Sequence, residues 1–136
     1  MIRAAGFVIL ILAAPLAARA EVVEAKGGAV RILDRMTNTV SDYDLTPGQE
    51  QTEGRLTVRL DECRYPSDSP AEAYAHLTIS DTGQVDPVFR GWMIASSPGL
   101  NALDHPRYDV WVLHCDVPDQ PTAPDASTNS GSGSGG

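Results

Sequence analysis

Arg55-Leu56-Thr57-Val58-Arg59-Leu60-Asp61 alternates polar and apolar residues at strict period two, the pattern of a strand with one wet and one dry face. Such a segment needs a second apolar layer to cover Leu56, Val58 and Leu60. Ala73 to Ile79 alternates in the same way and points Ala75, Leu77 and Ile79 inward. Ala29 to Leu33, a turn at Met36-Thr37-Asn38, and Thr39 to Leu45 read as a hairpin. Val88 to Ala95 is apolar on both faces apart from Arg90, and Tyr108 to Cys115 has the same character, as expected of strands enclosed between two layers. Between them, Ser97 is placed to cap a one- or two-turn helix with Pro98 at its first position and Pro106 at its end. The expected fold is mainly β: a small antiparallel β-sandwich or partly open barrel of about six strands with one short inserted helix.

The chain begins Met1-Ile2-Arg3, continues with an apolar run from Ala4 to Leu16, and reaches Ala18-Arg19-Ala20, the small-x-small pattern of a secretory cleavage site. Residues 1–20 are therefore expected to be a cleaved signal peptide and residues 21–117 a single β domain. Residues 118–136, rich in Pro, Ser and Gly, are expected to form a disordered tail, because they cannot bury enough apolar surface to offset chain ordering. This predicts a soluble periplasmic protein whose mature chain has no integral membrane span. In that oxidising compartment the only two cysteines, Cys63 and Cys115, most simply form one disulfide. With Leu56, Val58 and Leu60 inward, strict alternation puts Cys63 on the polar face. Either the strand ends or bulges near Asp61-Glu62, or the disulfide lies across the outer face.

Removing Arg3 and Arg19 leaves eight basic residues against eighteen acidic ones, a net charge of −10, with Lys26 the single lysine. Clustered Lys and Arg drive binding to phosphate-bearing surfaces, so nucleic acid is excluded as a partner and an anionic membrane surface as the primary target.

Ser96, Ser97, His105 and either Asp104 or Asp109 lie close enough in sequence to suggest a Ser-His-Asp hydrolase. However, Ile94-Ala95-Ser96-Ser97-Pro98 lacks the G-x-S-x-G elbow and puts proline where a backbone N–H would be useful. His76, His105 and His114 have no metal-ligand spacing, and no cofactor or catalytic residue is assigned. Asp109 shares a period-two face with Trp111, Leu113 and Cys115. If that face is inward, its carboxylate needs a partner, and the expected ones are the backbone N–H groups of Ser96 and Ser97, or Arg90 or Arg107, pinning the late loop to the sheet. Trp92, Trp111, Tyr108 and Phe89 are expected to gather at the core centre, with Trp92, His105, Arg107 and Tyr108 around a binding surface.

Gly91-Trp92-Met93-Ile94-Ala95-Ser96-Ser97-Pro98, continuing through Asp104-His105-Pro106 to Tyr108-Asp109-Val110-Trp111 and ending at Cys115, resembles the C-terminal signature of an exported alphaproteobacterial family, domain of unknown function 2155. The similarity extends to Ile32-Leu33-Asp34-Arg35 and to Cys63. The resemblance implies no activity and no site residues. It implies genes that lie near respiratory-complex accessory and acyl-metabolism genes, and with them an envelope or inner-membrane setting. The expected role is structural or binding, as an accessory factor to a protein partner in the envelope, such as a respiratory complex. An envelope hydrolase using Ser96 or Ser97 with His105 is the alternative.

Overall fold

The computed structural model describes residues 14–17 and 19–118; most of the expected leader, and the tail from residue 119 onward, lie outside the described residues. Among the described residues, eight strands form two antiparallel sheets: β1 Val22–Glu24, β2 Gly28–Asp34, β3 Thr39–Leu45, β4 Glu50–Glu53, β5 Leu56–Pro66, β6 Tyr74–Asp81, β7 Phe89–Ile94 and β8 Tyr108–Cys115. One sheet runs β1-β5-β6-β7, with β4 also paired to β5; the other runs β3-β2-β8. The two sheets pack face to face and do not close into a barrel. Val30, Ile32, Val110 and Val112 from the smaller sheet meet Leu56, Val58, Leu60, Leu77 and Ile79 from the larger, and all are buried.

The hairpin at residues 29–45 and the inward sets of β5 and β6 fall where alternation puts them. Two further strands were not expected. β1 is only three residues long, and β4 is Glu-Gln-Thr-Glu with no apolar residue; both are recruited by backbone pairing to opposite halves of one edge of β5. Such edge strands bury too little to leave an apolar period in the sequence.

Three expectations are corrected. No helix forms after Ser97: its N–H donates to the Ile94 carbonyl and its own carbonyl accepts from Leu100, which gives successive turns, while a 3-10 turn lies elsewhere, at Pro70–Glu72. β7 and β8 are not enclosed between layers but are the edge strands of their sheets, and Met93 is the only buried residue of β7. The aromatic residues do not share a core centre either. Tyr108 is fully buried, Phe89 is half-buried against the core, and Trp92 and Trp111 lie on the outer faces of the two sheets.

Cys63 and Cys115 are disulfide-bonded, with Cα atoms 5.6 Å apart. Each reaches the interior through a one-residue bulge. Pairing of β5 with β6 skips Asp61, so Cys63 turns inward behind Leu60; pairing of β2 with β8 skips Leu113, so Cys115 shares the inward face of Tyr108, Val110 and Val112. Gly28 lies against this bridge. A Cβ there would stand 2.6 Å from the Cys63 sulfur and 2.8 Å from the His114 carbonyl oxygen. Gly28→Ala is therefore expected to destabilise the fold by about 1–3 kcal/mol through overpacking, read as a lower urea midpoint at unchanged slope. An unchanged midpoint would mean that the backbone yields freely at this position.

Candidate functional site

β7 ends at the disulfide end of the sandwich, where Ile94 pairs with Tyr74, whereas β8 starts at the opposite end, where Tyr108 pairs with Asp34. The connecting loop, residues 95–107, must therefore run the length of the open side. It is fixed at three places. At its start the Ala95 N–H donates to the Ala73 carbonyl (2.9 Å) and the Ser96 hydroxyl to Glu72 (2.7 Å). In the middle, Asn101 donates its side-chain amide to the Trp92 carbonyl on the edge of β7 (2.8 Å), and Leu103 is buried in the core.

The third anchor is a polar latch joining the two sheets. His105, 8% exposed, accepts the backbone N–H groups of Arg107 and Tyr108 on Nδ1 at 3.0 and 3.2 Å, which fixes its proton on Nε2; that N–H donates to Asp81 at the end of β6 (2.7 Å). Asp81 also accepts from Gly83 N–H and from the Arg55 guanidinium, both at 2.8 Å. Arg107 grips Asp34 at the end of β2 with Nε (3.0 Å) and Nη2 (2.7 Å), and its guanidinium lies 5.0 Å from the centre of the Tyr108 ring. The Tyr108 hydroxyl accepts the Arg55 N–H at 3.2 Å, beneath Gly54 at φ +55°, where any side chain would collide with it. Hydrogen bonding from Arg107, joined by the Met36 N–H, lowers the Asp34 carboxyl to about 2. The Gly83 N–H, then His105 and Arg55, lower Asp81 to about 2 against the opposing effect of burial.

This arrangement commits both ring nitrogens of His105 and leaves no serine hydroxyl on either. The Ser96 hydroxyl is taken by Glu72, near the start of the loop, so the hydrolase alternative gains no support from the geometry. Asp109 does not pin the loop in the expected way. Because Leu113 is the bulged residue, Asp109 faces outward beside Trp111 and pairs with Arg35 at 3.2 Å, not with Arg90, Arg107 or the Ser96 and Ser97 backbone. Arg35 in turn donates to the His105 carbonyl at 2.5 Å. Of the four residues expected around a binding surface, His105 and Tyr108 are buried in the latch, with Arg107 beside them.

Trp92 stands elsewhere, on the outer face of the larger sheet. Its ring meets Tyr74 edge-on at 5.3 Å and His76 at 5.2 Å, with the Arg64 guanidinium 5.6 Å from its centre. Asp61, the bulged residue of β5, braces this face by accepting from Arg59, His76 and Thr78, each at 2.7 Å. Burial pushes the Asp61 carboxyl up, and the hydrogen bonds from Thr78, Arg59 and His76 outweigh it, so the net direction is down. Alternation alone put Asp61 on this face, but the aromatic ladder became visible only with the register that sets Trp92 opposite His76. The three histidines are dispersed, and among the described residues no group of three or more His, Cys, Asp or Glu side chains could hold a metal ion. Among them, too, no helix is long and apolar enough to cross a membrane.

Between the loop and β8 an open groove of about 310 Å³ remains, lined by Pro98, Gly99, Ala102 and Leu103 on the loop side and by Asp109, Val110 and Trp111 on the strand side. Val110 points to the core while Asp109 and Trp111 point outward. Residues of both faces line the same groove, so its floor is the backbone edge of β8.

Comparison with known proteins gives one curated relative, Uncharacterized protein RP359 of Rickettsia prowazekii (strain Madrid E), 29% identical over 92 residues. That match covers 65% of this chain and 59% of the relative, so the chain spans less than two thirds of the relative's length. No solved structure matches. The family profile described as an uncharacterized protein conserved in bacteria (DUF2155) matches residues 28–115, from the first residue of β2 to the last of β8, and the chain belongs to that family.

Proposed function

We propose that this protein is an exported periplasmic binding module, an accessory factor to a protein partner in the envelope or inner membrane such as a respiratory complex, and that the groove beside β8 is its contact site. One observation carries this reading: the 95–107 loop is anchored at both ends and in the middle, yet stands off the edge of β8 between anchors, leaving the groove open. His105 and Ser96, which the hydrolase alternative would need free, are spent as those anchors. The leader-like residues 1–20 and the acidic composition support an exported protein with a polypeptide partner.

The test is site-specific photo-crosslinking in intact cells. A photoreactive residue at the exposed Ala102 is expected to give a discrete adduct, absent when the same residue replaces the exposed Thr46, past the end of β3 on the opposite edge of the smaller sheet, and the crosslinked chain is expected to begin at Glu21. Adducts indifferent to position, or an unprocessed cytoplasmic chain, would remove the reading.

A further inference from the structure

The floor of the groove can be read atom by atom. Arg35 N–H donates to the Arg107 carbonyl, so in the β2–β8 ladder residues 107, 109 and 111 spend their N–H and C=O on β2, while Tyr108, Val110 and Val112 turn theirs to the free edge. Tyr108 is satisfied, its N–H by His105 and its carbonyl by Arg35 at 3.5 Å. The N–H and C=O of Val110, a residue only 4% exposed, have no hydrogen-bond partner among the described residues, and Val110 lines the groove. On an edge strand such an unpaired N–H and C=O, facing an open groove, are a template for another chain, so they mark a place where a strand can be added. The contrast with β7 is direct: there the loop covers the free edge by placing Asn101 on the Trp92 carbonyl.

We propose that the edge of β8 accepts an extended segment of a partner polypeptide, which pairs with Val110 by strand addition, sets one apolar side chain against Ala102 and Leu103, and directs a basic side chain to Asp109. This rests on the binding-module reading and specifies its chemistry. Strand addition draws affinity from main-chain bonds and selectivity from pockets for alternate side chains, and the groove offers both. The basic requirement follows from charge. Arg35 occupies only one oxygen of Asp109, and residues 21–136 carry a net −10, which disfavours a second copy of this chain and favours a cationic segment.

A displayed library of random short peptides, selected on the oxidised protein, tests the proposal. Enriched peptides are expected to alternate apolar and basic residues and to lose about tenfold in affinity when N-methylated at the peptide bonds that face β8, with side chains unchanged. Ala102→Trp, at an exposed position, fills the groove and is expected to abolish binding without changing the fold. Val110→Pro removes the outward N–H on an edge strand but also replaces a core side chain; should it unfold the domain, the N-methylated peptides and Ala102→Trp still decide. Binders indifferent to N-methylation or to Ala102→Trp, or a selection that yields none, overturn the proposal. A protein dimer lost in Ala102→Trp would overturn it in favour of self-pairing. An envelope adduct through Ala102 that survives Val110→Pro would leave the binding module standing and remove strand pairing.

Discussion

Replacing Cys63 and Cys115 together by alanine is expected to remove about 4 kcal/mol of stability, an upper-end figure from the unfolded-chain entropy of the loop that the bridge closes. The two residues are 52 positions apart, so the reduced chain regains the freedom of more than half the domain. For a domain of this size the loss corresponds to a fall of about 15–30 °C in Tm. Position adds to the effect. β5 belongs to the larger sheet and β8 to the smaller, so the bridge is the covalent link between layers otherwise held by apolar contact, by the hydrogen bond from the Tyr43 hydroxyl to Glu53, and by the latch at the opposite end. Both cysteines are buried, 0% and 3% exposed, so reductant is expected to act only through unfolding, and the rate of thiol release should track the unfolding rate. Thermal melts of the double variant and of the reduced protein should agree. A double variant within about 1 kcal/mol of the parent would show that packing alone holds the sheets together.

The same two cysteines show how far a sequence can be read. Strict alternation reports a strand's face correctly until an extra residue is inserted, after which every following side chain changes sides. On β5 the conflict was visible, because Cys63 fell on the polar face next to Asp61, and the bulge at Asp61 resolves it. On β8 the conflict was hidden. Counting back from an inward Cys115 also puts Leu113, Trp111 and Asp109 inward, a plausible face, and nothing local marks Leu113 as the inserted residue. The true inward set, Tyr108, Val110 and Val112, lies on the other parity. That single error misplaced Asp109 and Trp111 and obscured the latch.

The sheets themselves were legible because their inner residues are long apolar runs at period two. The latch was not, because Asp34, Asp81, His105 and Arg107 come from three separated segments and meet only through the packing of one sheet on the other. Ser97-Pro98 carries a sound helix-start signal, but the 95–107 segment must span the open side of the sandwich. Three tertiary anchors hold it across that side as turns rather than a helix, and local propensity yields to them. The groove follows from the same circumstance. A loop fixed by its anchors has no freedom to settle onto the edge of β8.

Acid is expected to open the latch. Asp34 and Asp81 both hold their protons less tightly in the folded protein than in the unfolded chain, at about 2 against an ordinary value near 3.8. For a carboxylate lowered in this way the contribution to stability is complete above the unfolded value and is lost as pH falls toward the folded one. Their stabilising effect should therefore be constant from neutrality down to about pH 5 and fade between about pH 4 and pH 2. Asp81→Asn replaces one acceptor oxygen with an amide that must face His105 Nε2–H or the Gly83 and Arg55 N–H groups, donor against donor. This variant is expected to melt lower at pH 7 and to show a shallower acid limb, because one of the two titrating groups is gone. His105→Ala is expected to cost about 2–3 kcal/mol by orphaning the N–H groups of Arg107 and Tyr108 together with one oxygen of Asp81. It should also free the end of the 95–107 loop, read as faster amide exchange at Leu103 and Tyr108 than in β5. An acid limb of undiminished slope in Asp81→Asn would show that the latch carboxylates do not set the acid stability of the fold. Unchanged exchange at Leu103 in His105→Ala would show that the other two anchors hold the groove open by themselves.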